Sequence, residues 1–512
     1  MSGAIESVAA LGVWALFSVA TRRIGNGRGR PRPPRTPTSS TSTISRRVLG
    51  MSTVGSSAID EGPARWATRR DVRALVVREP TPGRVSLGIA HRRLLAAEPG
   101  HSVLVVGPTQ SRKTSGFAVP AILEWQGPVV AASVKSDLVR DTMTWRAGRG
   151  PVRLYDPSGS TGLRASTWSP LDAAATWSGA RRTAASLAEV ARGAAGSLTD
   201  GDFWYATAAK LLAPLLLAAS VSGRTMADVV RWVDAQETGE VADALVDAGE
   251  HLALRAAQAS WSRDDRQKSA VYTTAETVVE AFADPDVAMS AVARSELGGT
   301  GAPRGHIDPE AVIAGPEGDA TVYLCAPTHD QRRLRPVFAT LVGQILEAAY
   351  ERAVRSSAPL DPPLLVVLDE AANVAPLAEL DTLASTAAGH GVQLVTVWQD
   401  LAQLRSRYGT RAGSVVNNHR VKVLLSGISD PDTLEQASVL VGEADLEQRS
   451  TTVDRRGTTS ETRGQVVRRL AAPDALRRLA PGHAVVVSGH LPPARVRLRP
   501  WQHDPVLRAR AR

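Results

Sequence analysis

Cysteine is nearly absent: Cys325 is the single one in 512 residues, which excludes a disulfide-stapled fold and any zinc site built on thiolates. Lysine is almost as scarce. Of the 60 basic residues only Lys113, Lys135, Lys210, Lys268 and Lys422 are not arginine, so a lysine kept at a motif position carries information. Internal repeats are missing, which removes solenoids and propellers. With 43% hydrophobic and 22% charged residues the chain has the composition of a folded globular protein, and wholesale disorder, collagen-like repeats and a polytopic membrane protein are disfavoured.

Long apolar runs are also wanting, with one exception at the N-terminus. Ala4 to Ala20 is 17 residues without a charge other than Glu6, or ~26 Å of helix against the ~20 residues of a comfortable span. Arg22 and Arg23 follow it directly, which would keep everything after them on the cytoplasmic side. A cleaved signal peptide fits poorly, because its positive charges precede the apolar stretch. The expectation is a short membrane anchor over 1–21, the alternative being an ordinary amphipathic core helix. Gly25 to Ser45 has the Pro, Gly, Ser and Arg content of an extended segment, so 22–65 reads as a basic linker.

The formal charge of +9 is unevenly spread. Eight arginines and no acid lie between Arg22 and Arg47, and eleven arginines against two acids lie between Arg463 and Arg512. The body between them is mildly acidic, so the bulk charge reports the two ends and not a basic catalytic face. Residues 491–512 read as a basic C-terminal tail. A basic segment just inside a membrane could attract anionic lipid or DNA through phosphate contacts alone.

After Trp66, short runs apolar on both faces recur: Val103–Val106, Val129–Ala132, Val152–Tyr155, Thr321–Cys325, Leu364–Leu368, Gln393–Val397, Val421–Leu425 and Ala484–Val487. Separated by helical patterns, they predict buried strands of a mostly parallel sheet in an α/β fold. Between 171 and 293 the pattern changes to alanine-rich helix, with caps at Asp200 and Thr225 and almost no strand signal. The chain thus divides into a first core part, 66–170, an all-helical unit, 171–293, and a second core part, 294–490.

The run Ser102–Val106 leads straight into Gly107-Pro108-Thr109-Gln110-Ser111-Arg112-Lys113-Thr114, and an apolar helix starts at Ser115. Strand, loop and helix in this order suit a P-loop that cradles the phosphates of ATP with backbone N–H groups at a helix N-terminus. Lys113 would meet the β and γ phosphates and Thr114 would hold Mg²⁺. One residue departs from the pattern: Arg112 stands where glycine is usual. An arginine can take the glycine's conformation at a strain of ~1–3 kcal/mol, and its guanidinium can pair with phosphate.

Leu364 to Glu370 supplies the other half. A buried strand ending in Asp369-Glu370 puts two carboxylates at the sheet edge, one to bind Mg²⁺ and the other to orient and deprotonate the attacking water. Gln399, after the strand that begins at Gln393, is placed to sense the γ-phosphate, or else to cap a helix. Phe203-Trp204-Tyr205 reads as core rather than as a stacking platform for bases. His390 and His419 have no partner pattern for a metal. Lys135, after a strand, fits either a phosphate contact or an exposed loop.

These segments resemble the TraG/TraD-type coupling proteins of conjugation and type IV secretion. The resemblance is carried by Val105–Gly116, Ser133–Leu138, Tyr155–Pro157, Trp168–Asp172, Asp202–Trp204, Leu368–Asn373, Trp398–Gln403 and Tyr408-Gly409, in family order. It implies a RecA/FtsK-like ATPase, anchored in the cytoplasmic membrane with its bulk in the cytoplasm, that assembles as a homo-hexamer. Such an enzyme passes single-stranded DNA, as a relaxase–DNA complex, to the type IV secretion channel, and its all-helical unit recruits the substrate. Relatives have two N-terminal spans where this chain shows at most one. A neighbouring subunit's arginine finger would be expected near Gly389-His390-Gly391; Arg405, Arg407 and Arg420 are the candidates. Two other readings stay open: a receptor that holds nucleotide without hydrolysing it, because of Arg112, and an FtsK-like DNA translocase acting inside the cell.

Overall fold

The computed structural model describes residues 63–195, 201–293, 305–314, 318–327, 329–453 and 459–511, all within one unit, Gly62–Arg512. The expected anchor, all but the last three residues of the expected linker, and the Asp200 cap lie outside the described residues.

Fourteen strands are formed in chain order: Val76–Val77 (β1), Ser86–Ala90 (β2), Arg93–Ala96 (β3), Val103–Val106 (β4), Val129–Ser133 (β5), Val152–Tyr155 (β6), Thr321–Cys325 (β7), Leu364–Leu368 (β8), Val392–Trp398 (β9), Val421–Leu425 (β10), Glu443–Val453 (β11), Thr459–Arg469 (β12), His483–Ser488 (β13) and Ala494–Arg497 (β14). Each of the eight apolar runs expected as a strand is one. Twelve strands make a single sheet in the order β1-β3-β2-β14-β13-β10-β4-β9-β8-β5-β7-β6, and β11 and β12 pair only with each other.

From β10 to β6 every neighbour is parallel. β4, β5, β7, β8 and β9 are buried along their whole length, as a sheet covered on both faces requires. β9 separates β4 from β8, so the strand that enters the Gly107 loop and the strand that ends at Asp369 point the same way with β9 between them. This is the mostly parallel RecA-like nucleotide-binding architecture expected.

Beyond β10 the sheet turns antiparallel through β13, β14, β2, β3 and β1, an extension of which the apolar runs announced β13 alone. Residues 491–511, expected within a basic tail, are part of the fold. β14 buries Ala494 and Val496 while exposing Arg495 and Arg497, and Leu498 and Leu507 are buried as well. Arg495 stacks on Trp66 at 4.0 Å, and Arg499 bonds Glu124 at 2.5 Å and Asp504 at 2.9 Å. The arginines of this segment therefore belong to folded structure, their stems on apolar neighbours and their heads paired or wet.

Among the described residues, the regular elements between β6 and β7 are all helices, with one isolated bridge between Thr167 and His306. Thr225 caps the Met226–Asp234 helix with a reciprocal capping box to Asp228. The Gly201–Val221 helix is long and apolar enough to cross a membrane, but 67% of its most apolar window is buried against the neighbouring Trp177–Ala195 and Asp265–Val279 helices, as befits the core of a bundle. The aromatic triplet at its start splits: Tyr205 is buried, whereas Phe203 is exposed and meets Trp204 edge-on.

β9 is fixed by a buried polar chain. Trp398 Nε1 donates to Thr396 Oγ1 at 2.9 Å, Thr396 Oγ1 lies 3.0 Å from His419 Nε2, and His419 Nδ1 lies 2.7 Å from the Val415 carbonyl. A carbonyl only accepts, so Nδ1 carries the proton and Nε2 accepts from Thr396. Burial drives His419 down to about 4, opposed by the Val415 bond, so the ring is neutral in the folded protein. The unfolded chain binds the proton near pH 6.5; stability is complete above that value and is lost as pH falls toward 4. A His419→Gln variant should lose about 2 kcal/mol less than the parent between pH 7 and pH 5, read by urea denaturation at both values; equal losses would contradict this account.

Candidate nucleotide-binding site

β4 ends at Val106 in register with Trp398 of β9, and the loop that follows is held from both sides. Gly107 N donates to the Trp398 carbonyl at 3.0 Å. A Cβ on Gly107 would lie 2.7 Å from both Leu425 Cβ and Ser111 Oγ, so only glycine fits there. Ser111 donates through N and Oγ to the Pro108 carbonyl at 3.3 and 2.7 Å, closing the loop on itself. Thr109 and Gln110 stand exposed at its crest. The chain then enters a turn of π-helix, Thr114–Ala118, continued by the Val119–Glu124 helix; such turns recur at functional sites. The Ser115 carbonyl accepts from Trp501 N at 3.0 Å, which ties the helix start to the C-terminal segment.

Gln110 and Arg112 both have positive φ, 65° and 69°. Arg112 therefore holds the left-handed conformation that glycine usually supplies, at a cost of ~1–3 kcal/mol. Its guanidinium turns toward the start of β13: a Cβ on Gly482 would lie 3.2 Å from Arg112 Nη1.

Lys113 is buried, and its Nζ donates to the Pro108 carbonyl at 2.6 Å. Burial lowers its pKa, Asp369 and Glu370 pull the other way, and Lys135 adds to the depression. Two of the five lysines thus share one electrostatic neighbourhood. Lys135 itself is exposed, its N–H on Ser133 Oγ at 3.2 Å.

Thr114 Oγ1 donates to Asp369 Oδ2 at 2.8 Å. The second carboxylate oxygen, Asp369 Oδ1, is buried with no hydrogen-bond partner among the described residues. Burial pushes Asp369 up to about 6; the Thr114 bond lowers it, Glu370 raises it, and Lys113 and Lys135 lower it. A hydroxyl touching an under-coordinated buried carboxylate is a donor set that suits a hard divalent cation such as Mg²⁺. Without a cation the carboxylate is costly.

Glu370, next along, has φ of 62°, a strained left-handed residue of the kind that clusters at functional sites. Its Oε2 accepts from Asn373 Nδ2 at 3.4 Å. Gln399 follows β9, between the Lys113 loop and Asp369; its N–H donates to Gln403 Oε1 at 3.1 Å. The cap of the Leu401–Tyr408 helix is Asp400, not Gln399, which leaves the Gln399 side chain uncommitted to that helix. The structure thus brings Lys113, Thr114, Asp369, Glu370 and Gln399 to the same end of three adjacent strands.

Of the three arginines considered as fingers, Arg405 and Arg407 are bonded within their own chain and Arg420 is exposed. Arg405 pairs with Asp432 and Asp430 at 3.1 and 3.7 Å, Arg407 donates to the Pro376 carbonyl at 3.3 Å, and Arg420 packs on Gly489. Other motif residues have structural work. Trp168 donates to Gln344 at 3.1 Å, Asp172 meets His306 at 2.9 Å, and buried Asp156 accepts from Ser158, Ser160 and Thr161. One partner gave no sequence signal. Arg335, on the Gln331–Ser356 helix, binds Asn373 through two hydrogen bonds. Asn373 was visible only as part of the Leu368–Asn373 segment.

The chain resembles known proteins in sequence and in fold. The family model described as Type IV secretory system Conjugative DNA transfer matches residues 68–511. Conjugal transfer protein TraG of Escherichia coli is 26% identical over 478 residues, covering 82% of this chain and 71% of the relative. Protein VirD4 of Agrobacterium fabrum is 25% identical over 440 residues, covering 81% and 60%. Among solved structures, the unbound bacterial conjugative coupling protein TrwBdeltaN70 superposes with a TM-score of 0.64 at 19% identity, covering 86% of this chain and 92% of that one. TrwB in complex with ADP and Mg²⁺ gives 0.61 at 18%, covering 85% and 94%.

The raised Asp369 carboxyl makes a prediction of unusual sign. Its folded-state pKa lies above the unfolded value, so it favours the folded protein below about pH 4 and costs up to about 3 kcal/mol once pH has risen through 6. The nucleotide-free Asp369→Asn variant should melt above the parent at pH 7, with the gap closing toward pH 4. A lower melting temperature at pH 7 would refute the assigned desolvation.

Proposed function

The chain belongs to the type IV secretory system conjugative DNA transfer family, and on that footing we propose that it is an ATPase that couples DNA, delivered as a relaxase–DNA complex, to a type IV secretion channel. The observation that carries the reading is the Thr114–Asp369 bond with its unsatisfied Asp369 Oδ1, beside a buried Lys113. The nucleotide analogues and the ADP–Mg²⁺ found with TrwB support ATP and Mg²⁺ as what the site takes.

In this reading the Gly107–Ser115 loop wraps the phosphates with its N–H groups, and Lys113 leaves the Pro108 carbonyl for the β and γ phosphate oxygens. Thr114 and Asp369 are the groups that hold Mg²⁺, which when bound neutralises charge on the phosphate oxygens. Glu370 orients the attacking water and takes its proton, and Gln399 reports the presence of the γ-phosphate. We assign 171–293 to substrate recognition and 1–21 to a membrane anchor followed by the 22–65 linker, with the bulk of the chain cytoplasmic and the working form a homo-hexamer.

Arg112 supports turnover rather than a purely structural role for nucleotide. It already occupies the left-handed conformation, so the backbone path of the loop is preserved at the expense of local strain. Steady-state ATP hydrolysis by the full chain, with and without single-stranded or double-stranded DNA, tests the assignment. DNA should stimulate turnover, Glu370→Gln should lower it by at least about 100-fold, and Arg112→Gly should stay within a few-fold of the parent. No turnover in the parent, restored by Arg112→Gly, would make the protein a substrate receptor. Lys113→Ala should abolish both hydrolysis and conjugative transfer, and transfer retained in that variant would end the motor reading.

A further inference from the structure

We infer that Arg335 is a positioning residue for ATP hydrolysis, acting through Asn373 on the carboxylate of Glu370. The inference rests on Glu370 being the group that activates water, and adds to it a device that fixes where that carboxylate points.

The argument starts from donors and acceptors. Arg335 is partly buried on the second turn of the Gln331–Ser356 helix. Its Nε donates to the Asn373 carbonyl and its Nη2 to Asn373 Oδ1, both at 3.0 Å. A guanidinium has donors only. By claiming the amide oxygen it settles the orientation of the Asn373 amide, and Nδ2 has to face the other way. In that direction lies Glu370 Oε2, 3.4 Å away. A flipped amide would set Oδ1 against a carboxylate and NH₂ against a guanidinium, repulsive at both ends. Arg335 thereby makes Asn373 a donor toward Glu370.

The backbone has the same purpose. Asn373 N and Val374 N both donate to the Glu370 carbonyl, at 2.8 and 3.2 Å, and Ala371 N is tied to Val397 of β9 at 3.1 Å. Glu370 is thus strained in φ, pinned at its carbonyl, and steered at its carboxylate by one amide. Among the described residues Arg335 hydrogen-bonds to Asn373 and not to Glu370 or the Gly107–Ser115 loop. Its loss should therefore misplace the base and leave nucleotide binding alone.

The test is ATP hydrolysis by the full-length protein with DNA, comparing Arg335→Ala, Arg335→Lys, Asn373→Ala, Glu370→Gln and the Arg335→Ala/Glu370→Gln pair, with affinity for a fluorescent ATP analogue read in parallel. Arg335→Ala should lower kcat by about 10- to 100-fold, since a displacement of ~1 Å at a reacting group has effects of that size, while KM and analogue affinity stay within about threefold. Arg335→Lys should recover part of the loss, and the double variant should be no slower than Glu370→Gln alone. Full kcat in Arg335→Ala beside an inactive Glu370→Gln overturns the relay but keeps the base. Turnover surviving in Glu370→Gln removes the base and the relay with it. If Arg335→Ala fails to fold, Asn373→Ala decides: unchanged kcat there overturns the proposal, and a loss in kcat alone upholds it.

Discussion

One hydrogen bond joins residues 255 positions apart in the chain, Thr114 to Asp369, and the site is organised around it. It requires β4 and β8 to run parallel and end at the same level, which places β9 between them and the crossover segments on the sheet faces. It also requires an anionic group to be buried, and that burial is what leaves Asp369 with a pKa near neutrality and one oxygen without a partner. The site is in this sense built at a loss, with strain at Gln110, Arg112 and Glu370 held by a sheet whose strands are otherwise saturated with backbone bonds. A core of this size can carry several kcal/mol of local cost.

Much of the architecture was legible because buried parallel strands write themselves as uninterrupted Val, Ile and Leu. All eight such runs became strands, and the P-loop and the Asp369-Glu370 pair stood at their ends where phosphate chemistry needs them. What escaped notice was written in other terms. β14 reads Ala494-Arg495-Val496-Arg497, an alternation in which arginine marks the exposed face of an interior antiparallel strand, and the same arginines suggested a basic tail. The rule that separates the two is the phase of Val and Leu between the charges, which is weak over four residues. β11 and β12 pair only with each other and have no apolar run to announce them.

Side-chain roles were less legible than the fold. Arg335 and Asn373 come together from a helix and a strand end that sequence spacing does not relate, so no local pattern could have paired them. Gln399 could be read as a sensor or a cap until Asp400 was seen to take the cap. The Phe203-Trp204-Tyr205 triplet could not be treated as one unit, since a helix of 3.6 residues per turn sends adjacent side chains to different faces, here Tyr205 inward and Phe203 outward. Arginine fingers are the extreme case. Arg405 and Arg407 are bonded within their own chain, and a contact made to a neighbour is encoded jointly with that neighbour's surface.

The place of β14 has a consequence for biosynthesis. The N-terminal strands β1, β3 and β2 reach the rest of the sheet only through β14, where Arg497 pairs with Ile89. At a ribosomal rate of about 5–20 residues per second, roughly 20 to 80 seconds separate the emergence of those two partners. Throughout that interval the β2–β3 hairpin has an open edge, and the sheet is completed only when β14 has been made. Synthesis halted before β14 would leave a chain that already contains Lys113, Asp369 and Glu370 but lacks the strand that joins the two parts of its sheet, a species more prone to aggregate than to act.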